Sequence, residues 1–378
     1  MKKLILVPDS FKGTLSSRKI CEILSAAAKK FFPACEVISV PVADGGEGSV
    51  ECFLTALGGE KIVETVKGPY FEEMSAHYGI IEQGNTAVIE MAACAGLPLV
   101  EDRKDPAKTT TYGVGQLMLS AAKRGCKKIL LGLGGSCTND GGTGAAAAVG
   151  VRFWKENGEE FIPTGGTLQD IHRIDTAHLA KELQGVEIVT MCDISNPLYG
   201  ETGAAYVFAP QKGADPAMVE FLDQGLRHLS EKIREDLHFD VSQIPGGGAA
   251  GGMGAGVKAF FGSQLKMGIQ VVLETVRFSE LLQNADAVIT GEGKLDSQSL
   301  AGKVVIGVAQ EAKEQKVPVI AIVGGAEPDV EAAYEMGVTA VFPINRKPQD
   351  FSVSRYHSEE NLRLTAENVF RLWLSAAR

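Results

Sequence analysis

What most constrains this chain is where its βα units lie: they sit at both ends, with a different pattern between. Lys2–Pro8 is a short apolar run closed by polar residues and Gly13, the signature of a buried strand leading into a loop. Ser16 or Ser17 can cap a helix whose Ile20, Ile23, Leu24, Ala27 and Phe31 fall at helical spacing. Val37–Val42 reads as a second strand, broken by Ala43-Asp44-Gly45-Gly46. A second helix then carries Val50, Phe53, Leu54 and Leu57 on one face. From Phe278 the rhythm returns. Ala287–Ile289, Pro318–Val323 and Val338–Phe342 read as strands, with helices ending at Gln315, starting at Val330 and covering Ser358–Ala377. Two units and three sum to about five parallel strands, the number in a flavodoxin-like sheet of order 2-1-3-4-5.

Between the ends the pattern differs. Lys61–Lys67, Ser75–Glu82 and Thr86–Met91 are strand-like and closely linked, which predicts an antiparallel meander. Helical and strand-like segments then alternate: Val114–Lys123, Lys128–Gly132, Gly144–Val149 and Val186–Met191. Asp215–Glu235 reads as a helix, and Ile244–Gly256 is rich in glycine. The expected fold class is therefore α/β with two domains. Residues 1–65 plus 276–378 form a discontinuous flavodoxin-like domain, and 66–275 form an inserted mixed α/β domain. Residues 1–65 alone are too few to bury a core. Two sequential domains split near 150 or 240 are the competing arrangement.

Composition removes several classes. A net charge of −10 and a pI near 5.3 repel phosphate backbones, so nucleic acid is not an expected partner. With 45% hydrophobic and 22% charged residues, the chain is not mainly disordered. Its first apolar run is too short for a secretory signal, and no stretch reaches the ~18 apolar residues of a membrane span. Seven cysteines, odd in number and without a C-x-x-C, read as buried thiols of a cytoplasmic protein. A monomer or a small homo-oligomer is expected.

Chemistry in open parallel sheets collects beyond the strand C-termini. There the sequence places Asp9-Ser10-Phe11-Lys12-Gly13, Ala43-Asp44-Gly45-Gly46 and Gly291-Glu292-Gly293-Lys294-Leu295-Asp296. Lysines beside carboxylates and bare glycine amides suit a phosphorylated ligand with a divalent metal. The loop Gly134-Gly135-Ser136-Cys137-Thr138-Asn139 follows a strand and precedes a small-residue helix, a pattern that suits phosphate or carboxylate. Asp193, at the end of another apolar strand, is placed to act as a base toward a hydroxyl; a turn or cap role is the plainer reading. No G-x-x-x-x-G-K-[ST] occurs, so there is no P-loop. Gly246-x-Gly248-x-x-Gly251 follows no clear strand and reads as a chance match to a dinucleotide motif; the glycine-rich stretch suits a hinge or lid. The six histidines show no metal spacing.

Five segments together resemble the type I glycerate kinase family: DSFKG at 9–13, ADGGEG at 43–48, GLGGSCTNDGG at 132–142, CDISNPLYG at 192–200 and TGEGKLDSQSLAGK at 290–303. They span nearly the whole chain in the family's order; Ile194 replaces a common valine. The resemblance implies phosphorylation of D-glycerate by ATP with Mg2+, usually at the 2-hydroxyl, and a two-domain α/β architecture. On this basis Asp193, Lys12 and Asp44 are the expected catalytic residues. Gly134, Gly135, Ser136, Thr138, Asn139, Gly291, Gly293 and Lys294 are expected to bind nucleotide or phosphate. Asp9, Ser10, Gly45 and Gly46 are expected to meet glycerate, and Glu292 and Asp296 to hold Mg2+. Which loop takes nucleotide and which takes glycerate stays open. So do a kinase of another small hydroxy acid or polyol, and a non-catalytic binder of a phosphorylated metabolite.

Overall fold

The computed structural model describes residues 1–43, 45–46, 48–297, 299–328, 330–347 and 349–376. The chain forms two compact units. One comprises Met1–Asp44, Thr55–Leu57 and Met267–Arg378; the other comprises Gly45–Leu54 and Gly58–Lys266.

The first unit holds a sheet of five parallel strands in the order Val338–Pro343, Val319–Val323, Ala287–Gly291, Lys3–Pro8, Glu36–Ser39. In chain order this is the flavodoxin-like arrangement. The central strands are almost wholly apolar, as strands buried on both faces tend to be, and the Thr290 hydroxyl is satisfied by the Val7 carbonyl. Ser16 caps the helix Ser17–Phe31 by accepting the Lys19 amide at 3.2 Å. Ser17, the alternative cap, instead donates to the Pro8 carbonyl at 2.6 Å and accepts the Val42 amide at 2.8 Å. It thereby ties the exits of the first two strands together. The buried stripe Ile20, Ile23, Leu24 and Ala27 faces the sheet and the helix Ser358–Ala376, where Phe370 packs against Phe31 and Phe32.

The second unit holds a six-stranded mixed sheet in the order Gln264–Lys266, Glu187–Met191, Lys128–Gly132, Thr86–Glu90, Glu73–Ile81, Glu60–Lys67. Its first four strands are parallel and its last two are antiparallel. Thr86–Glu90 ends the meander and also starts the parallel part. The units divide differently from the expected 65 and 276: most of the helix Ser49–Leu57 and the strand Glu60–Lys67 fall in the second unit, and the helix Gly268–Thr275 falls in the first. Glu60–Lys67 pairs with Glu73–Ile81 along its whole length and so belongs to the second sheet. The helix Gly268–Thr275 packs on the helix Val304–Glu314, with Ile269 against Gly307, and so belongs to the first unit.

The glycine-rich stretch is not an open hinge or lid. Ala249–Phe261 is a largely buried helical segment kinked near its start, where Ala250, Gly251 and Gly252 adopt positive φ. A Cβ at Gly251 would fall on the Thr138 carbonyl. The glycine lets the helix start press onto the 133–142 loop, with Gly141 donating to the Gly251 carbonyl at 3.0 Å. Among the described residues no helix is long and apolar enough to cross a membrane.

Candidate active site

In the first unit the loops after Pro8 and Gly291 lie side by side, because their strands pair in parallel with Pro8 opposite Gly291. The Asp9 amide donates to the Gly291 carbonyl at 2.8 Å, and the Ser10 amide to Asp9 Oδ1 at 2.6 Å. Phe11 and Leu15 close a tight turn that leaves Lys12 exposed. A Cβ on Gly293 would lie 3.5 Å from the Lys12 amide nitrogen. Lys12 and the 292–296 loop are therefore immediate neighbours.

Glu292 is 8% exposed, and its Oε1 has no hydrogen-bond partner among the described residues. Burial pushes its carboxyl up to about 7. A Ser299 hydrogen bond and Lys303 oppose that rise, while the negative fields of Asp9 and Asp296 add to it. Asp296 accepts the Ser299 amide at 3.3 Å. A buried carboxylate oxygen without a partner, with two further acids acting on it, suits a hard divalent cation. Among the described residues no group of three or more acidic, histidine or cysteine side chains would hold a metal unaided. A cation held by these acids would need further oxygen ligands, as phosphate oxygens could supply. Lys294 sits at the exposed rim, paired with Glu327 and 3.9 Å from Asp296.

In the second unit Glu90, Gly132 and Met191 end three adjacent parallel strands in register. The Gly45-Gly46 backbone lies across them. Gly134 donates its amide to the Gly45 carbonyl at 3.0 Å. A Cβ on Gly132 would meet that same carbonyl, and one on Gly45 would meet Met191. The turn is anchored by Ser49 Oγ donating to the Gly46 carbonyl at 2.8 Å and by Glu90 Oε1 accepting the Val50 amide at 2.6 Å.

The loop from Leu133 to Gly142 then folds inward. Thr138, Asn139 and Asp140 are fully buried. Thr138 Oγ1 and both polar atoms of Asn139 have no hydrogen-bond partner among the described residues. The Asp140 carboxylate accepts from the Thr111 amide and hydroxyl and from the amides of Gly142 and Gly144. Burial pushes it up against the downward pull of those bonds. Asp193 is half-buried, two residues past Met191. Its turn is held by Cys192 donating to the Lys266 carbonyl and by Gly248 donating to the Asn196 carbonyl at 3.0 Å.

The profile of the glycerate kinase family matches residues 4–374. The chain belongs to the glycerate kinase family. It is 43% identical over 376 residues to a glycerate kinase of Bacillus cereus, covering 99% of each chain. It is 44% identical over 343 residues to a glycerate 2-kinase of Escherichia coli K12, covering 90% of each. A crystal structure from Salmonella typhimurium LT2, provisionally described as a glycerate kinase 2, superposes with a TM-score of 0.89 at 40% identity. That match covers 100% of this chain and 99% of the other.

In this glycerate kinase family member the expected site residues fall into two groups. Asp9, Ser10, Lys12, Glu292, Gly293, Lys294 and Asp296 gather on the first unit. Gly45, Gly46, Gly134, Gly135, Ser136, Thr138, Asn139 and Asp193 gather on the second. Three of the expected residues also have packing partners. A Cβ on Gly291 would strike the Ile322 carbonyl, so the strand approach there requires glycine. The Gly134 amide donates to the Gly45 carbonyl. Lys294 is held by Glu327 at the rim. Asp44 lies outside the described residues. Sequence reasoning passed over Lys212, whose ammonium donates to the Thr138 carbonyl and Ser136 Oγ, and Glu90. A lysine in a Pro-Gln-Lys-Gly turn reads as solvated, and only tertiary packing buries it. Glu90 closes an apolar strand, where an acid reads as the strand's polar end.

Proposed function

We propose that this chain transfers the γ-phosphoryl group of ATP to the 2-hydroxyl of D-glycerate, giving 2-phosphoglycerate and ADP, as a cytoplasmic enzyme. The observation that carries the reading is the similarity, over nine-tenths of both chains, to a protein named for that position of transfer. The free cysteines, most of them buried, fit a reducing compartment.

Asp193 accepts the proton of the attacking hydroxyl. Its turn is tied by backbone bonds on either side, which fixes where its main chain sits. Lys12 offsets negative charge on the phosphoryl oxygens. Glu292 and Asp296 would hold Mg2+, which when bound neutralises phosphate charge. Asp9 adds to the negative field that favours the cation. Gly135, Ser136, Thr138 and Asn139 form the oxyanion loop on the second unit, and Gly45-Gly46 gives it a fixed backbone wall. Catalysis of this kind is chiefly positioning and electrostatics.

A coupled ADP-release assay with D-glycerate, tartronate, lactate and glycerol tests the proposal. Turnover strongly favouring D-glycerate is expected. Preference for another acceptor would reassign the substrate, and no ADP with any of them would leave only a binding protein.

A further inference from the structure

Lys212 closes the short turn Pro210–Lys212 and is followed by Gly213 in a left-handed conformation. Its side chain is 2% exposed, so the ammonium is removed from water. It donates to the Thr138 carbonyl at 2.6 Å and to Ser136 Oγ at 3.1 Å. Buried ammonium groups are ordinarily paired with a carboxylate, because an uncompensated buried charge is strongly unfavourable. No acid lies at ion-pair distance from Lys212 among the described residues. The nearby acid, Asp140, is already bound by four donors. The same loop carries Thr138 Oγ1 and the Asn139 amide without partners. A buried ammonium without a direct ion-pair partner, behind a loop with idle polar groups, is the arrangement that an anionic ligand would complete.

We infer that Lys212 is the positioning residue of the 134–142 loop, fixing Ser136 and Thr138 and supplying the buried positive charge against which that loop binds an oxyanion of the reaction. This rests on the reading of the loop as an oxyanion binder. The oxyanion is either the carboxylate of the hydroxy acid or a phosphate of the nucleotide. Burial lowers the Lys212 ammonium to about 8, while Cys137 and Asp140, the titratable groups acting on it, raise it. The charge is therefore present at neutral pH and lost in mild alkali.

The test compares the full-length wild type with Lys212→Met and Ser136→Ala. Apparent KM for D-glycerate and for ATP is measured across about pH 7 to 9.5, with folding checked by circular dichroism. Lys212→Met is expected to raise one KM by about 10–100-fold, the loss of a hydrogen bond from a charged group. A rise confined to glycerate assigns the carboxylate, and one confined to ATP assigns the phosphate. The wild-type value of the affected KM should climb above about pH 8, whereas that of Lys212→Met should stay level. Ser136→Ala should move the same KM by less. A folded Lys212→Met with both KM values within about twofold of wild type, or with the alkaline rise intact, overturns the inference. Should that variant not fold, a wild-type KM that is flat through the alkaline range overturns it equally. Wild type without glycerate turnover would instead refute the proposed function and leave the Lys212 comparison to be read by ATP binding.

Discussion

Glu90 Oε1 accepts the backbone amide of Val50 at 2.6 Å, so a buried acid at a strand end caps the helix that follows the Gly45-Gly46 turn. The carboxylate satisfies an orphan donor and meets the positive end of the helix. Glu90→Ala is expected to lower unfolding free energy by about 1–3 kcal/mol, the range for a buried donor left unpaired. Glu90→Gln, which keeps an acceptor, should lose less. Urea unfolding of the two variants checks this; equal losses would show that the capping oxygen is immaterial.

Asp193 should be essential to turnover and nearly neutral for stability, because it is half-buried in a turn held by backbone bonds. Asp193→Asn is expected to lose at least ~100-fold in kcat, the low end for a general base, with little change in Tm. A variant with near-full activity would remove Asp193 from the mechanism.

Glu292 sets a pH dependence whose sign follows from its environment. Burial raises its carboxyl from the ordinary 4.5 to about 7, so the native state holds the proton more tightly than the unfolded chain. Stability linked to this group is full below about 4.5, falls as pH rises toward 7, and is level beyond. In metal-free buffer Glu292→Gln should therefore gain on wild type across that window, by up to about 3 kcal/mol. Chemical unfolding at several pH values measures it. A wild-type-to-variant difference that does not change with pH would contradict the buried, unpartnered placement.

Much of this was legible in the sequence. The five-stranded order follows from counting βα units at the two ends, because parallel strands need crossovers and their apolar runs are continuous. The Lys12 and Glu292 loops could be placed together because the first and third strands of that order are neighbours. Other features depend on partners that no local pattern names. Glu60–Lys67 reads correctly as a strand, but only its pairing with Glu73–Ile81 fixes its sheet. Ala249–Phe261 is a helix despite its glycines, since burial against the 133–142 loop outweighs poor propensity. Lys212 and Glu90 carry charges that solvent would ordinarily take, and nothing in their flanking residues signals the donors and acceptors that replace it.

Phosphorus NMR of the product formed from D-glycerate and ATP tests the central claim most directly. The account predicts the resonance of 2-phosphoglycerate together with ADP. A product carrying its phosphate on the 3-hydroxyl, or ATP left unconsumed, would contradict it.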